Sequence, residues 1–94
     1  MIVGLLTIEL QIPESGSLKA KRQVVRSLVQ RIRQGYNVSV AEVDHLDSWQ
    51  LATLGVTCVS NDRAVAQRVM QNVVDFVENQ RLDLVLLDYQ TELL

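Results

Sequence analysis

From Ile2 to Ile12 the even positions read Ile, Gly, Leu, Ile, Leu and Ile, while the odd ones read Val, Leu, Thr, Glu and Gln. Period-two alternation of this length predicts a half-buried strand whose even face meets the core. Pro13 stops it and Glu14-Ser15-Gly16 forms a loop. Ser17 supplies an N-cap hydroxyl for a helix from Leu18 to about Gln34, and Gly35 provides a stop that tolerates positive φ. The apolar residues at 18, 25, 28, 29 and 32 fall on one helical stripe. A second strand is expected over Asn37–Val43 and a third over Leu51–Ser60, joined by the polar connection Asp44-His-Leu-Asp-Ser-Trp-Gln50. Ser60-Asn61-Asp62 opens a second helix, with early negative charge that suits the helix dipole. Its buried stripe is predicted as Val65, Val69, Val73, Phe76 and Val77, ending near Asn79. A last strand covers about Leu84–Thr91.

The order strand, helix, strand, strand, helix, strand predicts an α+β fold, the ferredoxin-like βαββαβ sandwich. Its four-stranded antiparallel sheet carries both helices on one face, with the first and third strands central. Ninety-four residues support one core, so the expected organisation is a single domain over residues 1–94. Two helices cover one sheet face only. By simple alternation the last strand is apolar on both sides, with Leu84 and Leu86 on one and Val85, Leu87 and Tyr89 on the other. An edge strand of that kind invites pairing, so a homodimer through the open sheet face or the last strand is expected.

Charge changes this picture. The formal net charge of −2 argues against a simple cationic binder of nucleic acid. Along the chain, however, residues 18 to 35 hold Lys19, Lys21, Arg22, Arg26, Arg31 and Arg33 and no acid, which is +6. The remainder carries three cations against eleven acids, or −8. Positions 19, 22, 26, 30 and 33 lie within an arc of roughly 80°, forming a stripe about 20 Å long beside the apolar one. Phosphates along a nucleic-acid backbone can engage such a stripe through Lys19, Arg22, Arg26 and Arg33. At the helix start, Ser17 and the free N–H groups can hold an anion beside Lys19 and Lys21. The sheet's single aromatic, Tyr89, gives no platform for stacked bases. Structured RNA, a ribosomal subunit or another anion is one partner this stripe suits; the other reading is a solvated helix face whose cations pair with acids elsewhere in an acidic chain.

The 44–50 connection groups Asp44, His45 and Asp47 with Glu42 just before, a set capable of general-base chemistry or divalent-metal ligation. One His without further His or Cys makes a poor zinc site, and Asp and His are also ordinary turn formers. We therefore expect no catalytic residue, metal or cofactor, and treat Asp44, His45, Asp47 and Trp49 as a partner loop. Trp49 either closes this loop against the core or projects into a partner. No glycine-rich phosphate loop, nucleophile elbow or Cys-x-x-Cys occurs. Cys58 shares the apolar even face of the third strand with Leu54 and Val56, which suits a core residue. A lone cysteine, a start patterned as a strand and the lack of a long apolar run together suggest a cytoplasmic protein outside the membrane.

Two resemblances bear on function. The segments Ser17-Leu-Lys-Ala-Lys-Arg22, Asn37-Val-Ser-Val-Ala-Glu-Val43, Asp44-His-Leu-Asp-Ser-Trp-Gln50, Leu54-Gly-Val56 and Val59-Ser-Asn-Asp62 resemble the YlxP-like family of bacterial proteins over essentially the whole chain. That resemblance implies a ferredoxin-like fold and, because members are often encoded beside translation and ribosome-maturation factors, an RNA-linked or ribosome-associated role. It brings no activity, cofactor or catalytic residue. The turn Pro13-Glu-Ser-Gly-Ser-Leu18 resembles, with an insertion, the Pro-Gly-x-Leu turn of amino-acid-sensing ACT domains. This second resemblance implies an alternative, a small-molecule-sensing dimer with its ligand at Glu14–Ser17.

Overall fold

A computed structural model describes residues 1–80 and 84–94. The elements are β1 (Ile2–Gln11), α1 (Leu18–Gly35), β2 (Ser39–Asp44), β3 (Leu51–Ser60), α2 (Arg63–Glu78) and β4 (Val85–Leu93). The strands form one antiparallel sheet in the order β2-β3-β1-β4, the ferredoxin-like arrangement with β1 and β3 central. The even face of β1 is buried as its alternation requires. Leu6, Ile8, Leu10 and Ile12 meet Ala52, Leu54 and Val56 of β3, with Val25, Leu28 and Ile32 of α1 and Met70, Val73 and Val77 of α2 above them.

Ser17 caps α1 by accepting a hydrogen bond from the Ala20 N–H at 3.0 Å. The other end departs from expectation. Gly35 is the last helical residue and has no positive φ; the chain turns extended at Tyr36, whose φ is −141°. The Tyr36 ring packs edge-on against Phe76 of α2 at 5.6 Å between centroids. Aromatic packing between the helices, rather than a left-handed glycine, accompanies the end of α1.

The inward face of α2 also differs. Ala66, Met70, Val73, Val74 and Val77 are buried, whereas Val65 is 38% exposed and Val69 and Phe76 are only partly covered. One contact of this face is with β1. A Cβ at Gly4 would sit 3.0 Å from Cys58 Sγ and 3.3 Å from Met70 Cγ. The missing side chain leaves room for Met70, which joins Ala66, Val73, Val74 and Val77 in a stripe of helical spacing.

Both edge strands carry a bulge. On β4 the register moves from Glu9 opposite Asp88 to Leu10 opposite Leu86, leaving Leu87 as the extra residue. Tyr89 therefore lies opposite Ile8, on the helix-covered side, and not with Val85 and Leu87 as strict alternation implied. Asp88, Gln90 and Glu92 take the open face, opposite Glu9, Thr7 and Leu5. On β2 the bulge at Val43 separates Glu42, opposite Leu54, from Asp44, opposite Thr53. Backbone pairing continues past β4, since Val3 and Leu94 exchange N–H···O bonds of 2.9 and 2.8 Å.

The Gly4 contact is testable. Gly4→Ala is expected to cost about 1–3 kcal/mol through overpacking. In a Cys58→Ala background, where the 3.0 Å neighbour is gone, part of that cost should disappear. Urea denaturation of the four proteins in a double-mutant cycle measures this coupling.

Candidate functional site

At 100° per residue, Lys21 stands four positions before Val25, seven before Leu28 and eleven before Ile32. It therefore belongs to the apolar stripe of α1 and not to the basic one. The structure buries it completely, at 0% exposure. Its Nζ donates to Glu42 Oε2 at 2.7 Å and to the His45 carbonyl at 3.0 Å. A buried ammonium is tolerable only when paired and hydrogen-bonded, and here it has both. Lys21 is thus corrected from an anion-binding residue to an internal tie between α1, β2 and the following loop.

The remaining cations of the stripe face outward. Lys19, Arg22 and Arg26 are exposed, and among the described residues none has a carboxylate within 4.0 Å. Arg33 donates through Nη2 to the Val40 carbonyl at 3.0 Å, which leans it across the edge strand β2. Arg31 points elsewhere and donates to Gln80 Oε1 at 2.7 Å. Between α1 and β2 lies an open groove of about 350 Å³, lined by Arg22, Arg26 and Arg33 with Val25, Val29, Ala41 and Glu42. Glu42 is the acid in this lining, and Lys21 neutralises it from beneath. The groove therefore presents three guanidinium groups with no uncompensated negative charge. Ser17 sits at the helix start, but its hydroxyl is engaged as the cap and its carbonyl accepts from Ser15 Oγ at 2.9 Å.

The 44–50 loop is built by the same lysine. His45 has a left-handed φ of 61°. Its N–H donates to Asp44 Oδ1 at 2.7 Å, and its carbonyl accepts from Ser48 N–H and Lys21. Ser48 Oγ accepts from the Leu51 N–H at 3.0 Å, which closes the turn. The His45 ring reaches back to the sheet, with Nδ1 3.0 Å from Thr53 Oγ1. Thr53 is 4% exposed and donates its only hydroxyl proton to Glu9 Oε2 at 2.7 Å. Assigned from this chain of bonds, Nδ1 carries a proton and donates it to Thr53 Oγ1. Thr53 and Glu9 were not singled out from sequence, although period-two alternation places both on one face.

Asp47 and Trp49 are exposed, Trp49 at 57%, so the indole projects outward and does not close the loop against the core. Asp44, His45 and Asp47 do not converge into a metal cluster; among the described residues no group of three or more His, Cys, Asp or Glu is placed to hold an ion. At the turn where an ACT-like ligand is expected, the Gln50 amide donates to the Pro13 and Ser15 carbonyls, each at 3.3 Å. Those backbone acceptors are thereby taken. Cys58 is a buried free thiol beneath Gly4. Among the described residues, no helix is long and apolar enough to cross a membrane.

The family described as "Protein of unknown function (DUF503)" matches residues 3–91. The chain belongs to this family. Uncharacterized protein YlxP of Bacillus subtilis (strain 168) is 32% identical over 78 residues, covering 83% of this chain and 85% of the relative. The DUF503 match spans every element from β1 to most of β4, including the α1–β2 groove and the His45 loop.

Removing the internal tie tests its role. Lys21→Ala is expected to destabilise the protein by about 3 kcal/mol, because it strands Glu42 and leaves the His45 carbonyl without its donor. Lys21→Met/Glu42→Gln, which removes both charges, should recover a large part of that loss in chemical denaturation.

Proposed function

We propose that this DUF503 protein is a non-enzymatic RNA-binding module, associated with structured RNA or a ribosomal subunit through the groove between α1 and β2. The observation that carries the reading is the set of three arginines opening onto one groove whose single acid is internally neutralised. Guanidinium groups remain protonated and offer fixed forks of donors, so their chemistry is recognition of phosphate. Arg22 and Arg26 lie one turn apart, a rise of about 6 Å, and Arg33 follows about 10 Å further on. That spacing suits successive phosphates better than one small anion. Lys19 extends the positive field toward the helix start, where long-range attraction assists encounter. The buried lone thiol suits the reducing cytoplasm in which such RNA is met.

In this reading two copies pair through the outer edge of β4, flanked by the exposed Val85, Leu87 and Tyr89, and so present two basic faces. Sedimentation velocity checks the pairing, with Leu87→Lys expected to yield monomer.

The groove is tested by fluorescence anisotropy with fragments of ribosomal RNA across a KCl series. Arg22→Ala/Arg26→Ala should reduce the slope of log K against log salt by about 1.8, roughly 0.9 for each lost phosphate contact on a duplex. Cosedimentation with ribosomes should be lost as salt rises. An unchanged slope in the double variant would remove the groove as the site. A saturable thermal shift with free amino acids, and none with RNA, would favour the small-molecule sensor instead.

A further inference from the structure

The uncovered face of the sheet has a character opposite to that of α1. All eight cations among the described residues sit on the helices, and the four strands hold Glu9, Glu42, Asp44, Asp88 and Glu92 with no cation. Glu42 faces α1; the other four acids lie at open-face register positions. Beside them is an open apolar groove of about 320 Å³, floored by Leu5, Ala41, Gly55 and Thr57 and walled by Val43. Gly55 makes this groove: a Cβ there would meet Val43 Cγ1 at 3.1 Å. Two features decide what can occupy it. Asp44, Thr53, Glu9 and Asp88 are directly opposite one another across β2, β3, β1 and β4. Three carboxylates thus share one row about 14 Å long at the usual strand spacing. Second, Val43 and Val59 remain 57% and 66% exposed on the open side.

Like charge repels a nucleic-acid backbone from this face. It also works against face-to-face packing of a second copy, which would lay carboxylates against carboxylates. Charge complementarity favours a cationic occupant, and the groove favours one with apolar side chains as well. We propose that the open sheet face docks a Lys/Arg-bearing, partly apolar polypeptide segment of another protein. Its apolar side chains enter the Leu5–Val43 groove, and its cations meet the Asp44–Glu9–Asp88 row. This surface meets the α1–β2 groove only at Ala41 and otherwise lies on the other side of β2, so the protein can hold an anionic partner on one face and a cationic one on the other.

The test is titration of ¹⁵N-labelled protein with the peptide acetyl-Lys-Val-Lys-Val-Lys-Val-Lys-amide, and with the matching peptide carrying Glu for Lys. The cationic peptide should shift the amides of Leu5, Thr7, Ala41, Thr53 and Gln90 while those of α1 and α2 stay in place. The acidic peptide should shift none of them. Glu9→Gln/Asp88→Asn should weaken the cationic peptide about fivefold, as expected for two partly exposed charge pairs. Val43→Lys, at an exposed position that leaves the core untouched, should abolish the shifts. The proposal is overturned if both peptides bind equally, if the shifts map to the helices, or if Val43→Lys binds as well as the parent. It is equally overturned if Leu5, Ala41 and Thr53 on the open face are already covered by face-to-face self-association at the concentrations used; pairing through the β4 edge leaves that face free.

Discussion

The arrangement of both faces depends on one buried ion pair, Lys21 with Glu42. An ammonium with no exposure needs compensation, and the structure places it where a carboxylate of β2 and the carbonyl of His45 converge. Three elements that pack separately are joined there: the first helix, an edge strand and a polar turn. The pair sets how α1 lies against β2 and so forms the groove between them. Toward that groove it is electrically neutral, which leaves the positive charge of Arg22, Arg26 and Arg33 undiminished.

Much of the fold was legible in the sequence because each element carries its own period and its own stop. The even face of β1, the Ser17 cap and the bounds of β3 follow from alternation and capping chemistry. What alternation cannot show is a bulge, since one extra residue reverses every face beyond it. That is why Tyr89 moves to the helix-covered side and Asp88 joins Glu9. On α2 two stripes of helical spacing overlap, one through Val65 and Val69 and one through Ala66 and Met70. Hydrophobicity alone does not choose between them; the buried one is that of Ala66 and Met70, with Met70 against Gly4.

The site was legible in part. A run of cations without a neutralising acid is visible in any charge count along the chain. Which of them face outward depends on helical phase, and phase alone places Lys21 with Val25, Leu28 and Ile32. Charge type had outweighed position there. Thr53 was silent for the opposite reason: a threonine in an apolar strand reads as filler until the strand pairing sets it beside Glu9 and the loop geometry brings His45 to it. Sequence spacing carries no information about contacts that span forty-four residues.

Why the interior should contain an ion pair at all follows from what apolar substitutes cannot do. Two hydrophobic side chains of similar volume would fill the same space, often with equal or greater stability. They would not donate to the His45 carbonyl, which stands at a left-handed residue whose conformation is costly for any side chain beyond glycine. Lys21 supplies that donor, and Glu42 balances the charge Lys21 brings. The turn so held orients the His45 ring toward Thr53 and, through Thr53, fixes the carboxylate of Glu9 on the open face. A lysine inside the helix layer thus connects, through one turn, to the acid row on the far side of the sheet. Positioning, more than stability, accounts for a charge in the core.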